Sequence, residues 1–151
     1  MSLFRIANSL YKDDLTGAGA ALYGGRWNSK GNAMLYLTEH ISLAVLEILV
    51  NFNKAESPLL PGFHLLTVEL PEADLISIQA TELKKNWVQD FHYTQFMGDE
   101  FLKTNSNLFL RVPSAVIPEE HNYLINPLHK DFKKIKIVKS TSYKLDGRLL
   151  G

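Results

Sequence analysis

Gly24-Gly25-Arg26-Trp27-Asn28-Ser29-Lys30-Gly31 is followed by Ala33-Met34-Leu35-Tyr36-Leu37-Thr38, and then by an apolar run over residues 41–52 with Glu47 inside it. The stretch reads as a glycine-hinged loop carrying a cation, a short strand carrying an aromatic ring, and a helix carrying one carboxylate. Three chemically distinct side chains therefore come from three consecutive elements. Ser29-Lys30-Gly31-Asn32 reads as a turn, which predicts a hairpin between residues 25–27 and 33–37. Thr38 is placed to cap a helix beginning at Glu39, whose carboxylate would face the helix N-terminus. That helix is apolar nearly all round, as a buried central helix is. An ionised Glu47 within it is costly unless it is paired or opens into a polar cleft.

Working outward, Gly17, Gly19, Gly24 and Gly25 crowd into nine positions. They imply backbone that approaches something closely or visits positive φ. The spacing is not a dinucleotide-binding fingerprint, and the lysine and hydroxyl of a phosphate-binding loop are missing. Upstream, Leu3-Phe4-Arg5-Ile6 alternates as a short strand does, and residues 13–20 read as loop. Downstream, residues 53–61 read as a loop broken by Pro58 and Pro61, and residues 63–70 as a strand stopped by Pro71. Residues 75–78 read as a brief extended segment. A capped helix is predicted over 81–87, with Trp87 inward, and a second amphipathic helix over 94–103, broken or kinked near Gly98-Asp99. The last third returns to strands: 107–116 with Pro113 at a bulge, bend or edge, then 122–127, then a half-exposed strand over 132–140. No repeat or linker interrupts the chain. A single α+β domain over residues 1–151 is expected, mainly antiparallel strands around one or two core helices.

Composition narrows the classes. The chain has 151 residues, 46% apolar and 21% charged, ordinary for a globular domain able to bury a core. Sixteen acidic and sixteen basic residues cancel, so no global field draws in nucleic acid or an anionic membrane, and direct nucleic-acid binding is not expected. The absence of cysteine excludes disulfides, thiolate zinc sites and thiol nucleophiles. Polar residues at Asn8 and Lys12 leave no room for a signal peptide. The longest apolar run, about a dozen residues, is short of the roughly 20 needed to span a bilayer. A soluble cytoplasmic domain is expected.

Two readings of Glu47 stand: a helix carboxylate that snorkels or pairs with a lysine, or a reactive group. Its neighbours favour asking for the second. The forked donors of Arg26 suit a phosphate or pyrophosphate. The ring of Tyr36 offers a face to a flat heterocycle. A carboxylate beside an anomeric carbon can stabilise positive charge building on a sugar. Together these types fit a dinucleotide with a scissile N-glycosidic bond. Ser114 follows Val112-Pro113 where a strand bends; its hydroxyl either points into a cleft or bonds its own backbone. It lies in no nucleophile elbow. The five histidines have no metal-ligand spacing, so no metal is expected, and His121 and His129 are read as surface or structural. Lys133, Lys134, Lys136 and Lys139 read as a solvated strand edge. Trp27 and Trp87 read as core anchors, and Asn126-Pro127 as a turn.

Several of these segments together resemble the RES-domain toxins of bacterial RES–Xre type II toxin–antitoxin pairs. The resemblance is carried by residues 17–20 leading to Gly24-Gly25-Arg26-Trp27-Asn28, by Tyr36, by Leu43-Ala44-Val45-Leu46-Glu47, by Leu110-Arg111-Val112-Pro113-Ser114-Ala115-Val116, and by Asn122-Tyr123-Leu124-Ile125-Asn126-Pro127. It implies a fold similar to ADP-ribosyltransferases and an activity that consumes NAD+ at the nicotinamide–ribose bond, by hydrolysis or phosphorolysis. NAD+ is then substrate, with phosphate a co-substrate in the second case, and no separate cofactor is implied. Carried across, Arg26 would hold the phosphates and Tyr36 the nicotinamide-ribose end. Glu47 would steady the oxocarbenium-like transition state, and Ser114 would fix the substrate or Arg26. Arg5 would be a second phosphate contact. The resemblance also implies a cognate antitoxin with an Xre-like helix-turn-helix domain that covers the cleft, and it allows a homodimer within that complex. Two alternatives stay open: transfer of ADP-ribose to a macromolecule, and a non-catalytic module whose cleft binds a partner.

Overall fold

A computed structural model describes residues 1–51 and 62–150. The expected loop over 53–61 and the last apolar position of the central helix, Phe52, lie outside the described residues. Seven strands form one sheet: β1 (Ser2–Asn8), β2 (Leu35–Thr38), β3 (Phe63–Glu69), β4 (Ile76–Ser77), β5 (Phe109–Pro113), β6 (His121–Ile125) and β7 (Lys136–Tyr143). Their order is β4-β5-β6-β2-β1-β3-β7, with every pair antiparallel except β4 with β5. The expected α+β class and the mainly antiparallel sheet are both present. β7 is an edge strand, and its exposed Lys136 and Lys139 are the charges such an edge needs to resist pairing with another chain.

The sheet is covered on both faces, so its central strands are apolar in both directions. Leu35 and Leu37 of β2 join Tyr123 and Ile125 of β6, Leu3 and Ala7 of β1, and Leu66 and Val68 of β3 in one cluster. On the other face Leu124 packs with Trp27, Trp87, Leu110 and Val112. The two tryptophans anchor that core as expected, their rings 6.2 Å apart. Each fully buried leucine stabilises the fold by roughly 1.5–3 kcal/mol before entropy is counted. β1 and β2 share a single registered pair, Phe4 with Thr38, whereas β1 and β3 pair along seven residues. The sheet therefore parts between β1 and β2, and both Phe4 and Thr38 line the cleft that opens there.

Among the described residues three α-helices pack on this frame: α1 (Ala18–Tyr23), α2 (Ile41–Val50) and α3 (Phe91–Thr104). α1 occupies ground expected to be loop. α2 starts at Ile41, and no side chain caps it. Thr38 is the last residue of β2, too early to cap; its hydroxyl donates to the His40 carbonyl at 2.9 Å. Glu39 turns away from the helix end to accept from Arg111 at 3.2 Å and from the His121 backbone N–H at 2.9 Å. α2 is also not central. Leu43, Ala44 and Val45 are buried, while Ile48 and Val50 border the cleft, which explains its all-round apolarity.

The hairpin expected between residues 25–27 and 33–37 does not form. Gly25 instead pairs with Asn28, closing a tight turn around Arg26 and Trp27. α3 runs through Gly98-Asp99 without interruption. Glycine is there for another reason: a Cβ at 98 would stand 1.6 Å from the Trp27 carbonyl oxygen. The helix expected over 81–87 is a single 3-10 turn, Ala80–Glu82, closed by a Gln79–Glu82 capping box.

Candidate active site

The loop bearing Arg26 is built from within by Asn28, which is fully buried. Its amide donates to the carbonyls of Ala20 at 2.8 Å and Asn32 at 2.9 Å, and its Oδ1 accepts the Tyr36 hydroxyl at 2.5 Å. The same hydroxyl accepts the Trp27 N–H at 3.1 Å. Burial is the main cause that pushes the Tyr36 phenol well above its ordinary pKa, so it stays a neutral donor. A Cβ at Gly25 would lie 2.7 Å from both the Tyr36 hydroxyl and Asn28 Oδ1. Gly17, at φ +73°, would clash with the Met34 backbone if it carried a side chain. Gly17 and Gly25 thus serve close approach, and Gly17 and Gly24 positive φ, whereas Gly19 serves neither.

α3 clamps this loop from outside. Phe91, Thr94, Gln95, Gly98 and Asp99 share one helical face by their spacing of three and four. Thr94 Oγ1 donates to the Arg26 carbonyl at 2.6 Å, and Gln95 Nε2 to the Gly25 carbonyl at 2.8 Å. Asp99 accepts from the Ser29 N–H at 3.0 Å, the Ser29 hydroxyl at 2.6 Å and Asn32 Nδ2 at 3.0 Å. The Arg26 guanidinium lies 4.3 Å from the centre of the Phe91 ring and donates once, to the Val88 carbonyl at 2.9 Å. Desolvation lowers its pKa, with Glu47 and then Tyr36 opposing that shift. Among the described residues the remaining guanidinium donors have no protein acceptor, which leaves them for a ligand.

Glu47 enters the cleft from α2. One of its oxygens, Oε1, accepts from Ser114 Oγ at 2.8 Å and from Asn122 Nδ2 at 2.8 Å. Ser114 is fully buried just beyond β5, where the chain turns. Its oxygen accepts from the N–H groups of Val116 at 3.0 Å and Ile117 at 3.1 Å. Both readings of Ser114 are therefore realised in part: it is a turn hydroxyl, and it aims its proton at Glu47. Two charge-assisted bonds offset the cost of holding the half-buried carboxylate in an apolar helix. Among the described residues Oε2 accepts no bond, so it is the oxygen available to the cleft.

Arg26, Tyr36 and Glu47 line one cleft of about 800 Å³, within the range of small-molecule sites. Ser114 stands behind Glu47 and binds neither the cleft nor Arg26. Arg5 borders the cleft, but strand alternation places its side chain with Leu3 and Ala7. Burial lowers its pKa, Asp14 opposes that shift, and its Nε is buried with no partner among the described residues. Sequence reading did not single out Asn122 or the clamp residues Thr94, Gln95 and Asp99. A polar stripe along an otherwise amphipathic helix was the one signal for the clamp. His121 is buried, its Nδ1 3.2 Å from Glu39, and so structural. Among the described residues no three His, Asp or Glu side chains are grouped to hold a metal ion.

The RES domain family matches residues 2–146 of the chain. Over 153 residues the chain is 39% identical to Toxin Res of Yersinia enterocolitica, covering 99% of each. It is 38% identical to Toxin Res of Photorhabdus laumondii, over 99% of this chain and 97% of that one. With the Prs ADP-ribosylating toxin of Sphingobium sp. it shares 35% identity, over 99% and 96%. A chain in the crystal structure of the M. tuberculosis MbcT–MbcA toxin–antitoxin complex matches with a TM-score of 0.78 at 17% identity, over 95% of this chain and 84% of that one. At that identity the likeness is one of fold.

Proposed function

The chain belongs to the RES-domain family, and on that footing we propose that it is a bacterial toxin that destroys cytoplasmic NAD+ at the nicotinamide–ribose bond. The observation that carries the reading is Glu47: a carboxylate fixed through one oxygen by Ser114 and Asn122, its other oxygen open to the cleft that also holds Arg26. Arg26 would bind the pyrophosphate, its unused donors matching paired phosphate oxygens. Tyr36, with its hydroxyl occupied, would offer only its ring. The C–N bond would break with its electron pair moving to the nicotinamide nitrogen, which neutralises the pyridinium. Glu47 would face the ribosyl cation left behind, as the carboxylates of glycosidases do. Water then adds to the anomeric carbon and releases a proton, giving ADP-ribose. Phosphate in its place gives ADP-ribose 1-phosphate.

The 35% identical relative named as a Prs ADP-ribosylating toxin supports a second reading, in which a macromolecule takes the ADP-ribose. The likeness to a chain of a toxin–antitoxin complex supports an antitoxin partner, expected to be Xre-like. Exposed Tyr23 and Phe91 at the cleft mouth, 76% and 50% accessible, are surface such a partner would cover. Incubating the purified protein with labelled NAD+, with and without inorganic phosphate, separates the readings. Free ADP-ribose, its 1-phosphate, or label on added cell protein each identifies an acceptor. No loss of NAD+ from protein freed of any partner would sink the enzymatic reading.

A further inference from the structure

Asn122 carries a cost that its place in the sheet does not explain. It sits on β6, paired through the backbone with Thr38 on one side and Val112 on the other. Its side chain lines the cleft. Nδ2 donates to Glu47 Oε1 at 2.8 Å, while Oδ1 is buried with no hydrogen-bond partner among the described residues. Buried acceptors are normally satisfied, so an orphan asks for an explanation. The amide cannot be relieved by flipping, because that would set its carbonyl oxygen against the oxygen of Glu47. The orientation is thus dictated by the carboxylate, and the orphan is its consequence. Ser114 alone would leave Glu47 free to swing about a single bond; a second donor on the same oxygen fixes the plane of the carboxylate and keeps Oε2 in the cleft.

We propose that Asn122 is a positioning residue for Glu47, retained although it leaves a buried acceptor unpaired, and that it acts on the rate of bond cleavage through the carboxylate. The proposal rests on the reading of Glu47 given above, and its test separates the two. Asn122→Ala removes the donor and the orphan together. It is expected to lower kcat for NAD+ loss at least tenfold with KM changed less than threefold, and with a melting temperature at or above that of the parent. Asn122→Asp, closer in shape, places a second carboxylate beside Glu47 and is expected to be slower still. A merely structural amide would give the reverse order and would lower the melting temperature. In labelled protein, the Glu47 side-chain carboxyl resonance is expected to move in Asn122→Ala; this readout needs no turnover. An unmoved resonance, or kcat within twofold of the parent, overturns the role of Asn122. A parent protein that leaves NAD+ intact overturns the functional reading alone, and the resonance still decides the positioning. Should Asn122→Ala not fold, Asn122→Ser takes its place under the same criteria.

Discussion

The Ser114 hydroxyl has one proton and gives it to Glu47, 67 positions earlier in the chain, at 2.8 Å. It has no choice, because the N–H groups of Val116 and Ile117 already take up its lone pairs. Ser114→Ala should therefore slow NAD+ cleavage about 10- to 100-fold, since a hydrogen bond to a charged group is worth about 1.5–3 kcal/mol. Substrate affinity should change little. A KM that rises while kcat holds would contradict this geometry.

Arg26 and Glu47 are expected to be indispensable to turnover. Glu47→Gln keeps the shape but removes the charge, and Arg26→Ala removes the guanidinium donors proposed to bind phosphate. Each should lower activity by at least about a hundredfold, with circular dichroism unchanged. Arg26→Lys should not rescue, because a point charge cannot reproduce the fork or its seat on Phe91. A lysine variant with near-parental rate would remove the pyrophosphate assignment.

Glycine positions give a paired stability test. Gly98→Ala drives a methyl into the Trp27 carbonyl and should cost about 3 kcal/mol or more. Gly19→Ala meets nothing within 4 Å and lies in α1, so it should be neutral or stabilising by about 0.5 kcal/mol. Denaturant melts of the two variants check both; equal midpoints would mean that α3 does not press on the Arg26 loop.

Thr94→Val is nearly isosteric and deletes the bond to the Arg26 carbonyl. It should cost about 1–3 kcal/mol, because it leaves a part-buried acceptor unpaired. It should also weaken NAD+ binding by loosening Arg26. Stability lost without any change in substrate affinity would show that the clamp supports the fold and not the site.

Asp90 caps α3 by accepting the Tyr93 N–H at 3.0 Å and pairs with Lys84. The bond from Lys84, then that from Tyr93, holds its pKa below the ordinary carboxylate value. A depressed folded pKa means stabilisation that is present above the unfolded value of about 3.9 and lost as pH falls through the folded one. Asp90→Ala should melt below the parent at pH 7, with the gap closing below about pH 4. A gap of constant size down to pH 2 would rule out the charged cap.

How much of this was legible in the sequence follows from range. Arg26, Tyr36 and Glu47 stand on consecutive elements, so residue type and order suggested one cleft, and the family resemblance turned that suggestion into a site. Strands with local alternation, such as β1 and β3, were readable for the same reason. The hairpin failed because the turn at Arg26 is closed by Asn28, a buried polar hub whose partners span residues 20 to 36. Gly98 was misread as a kink because its reason lies on Trp27, which no local pattern reveals. Thr38 looked like a cap because nothing local told that β2 ends on it. Asn122 was visible as one end of an extended segment and as part of a stretch shared with the family, but its role was not, since its partner is 75 positions away.

That last separation has a consequence for the order in which the chain is made. The carboxylate of α2 leaves the ribosome well before Ser114 and Asn122 exist, and the loop of Arg26 well before α3 can seize it. At roughly 5–20 residues per second, the 75 positions between Glu47 and Asn122 take about 4–15 s to add. During that interval the nascent chain carries the Glu47 carboxylate without the two side chains that bond it. The two bonds that hold this carboxylate can form only after β5 and β6 have followed α2 out of the ribosome.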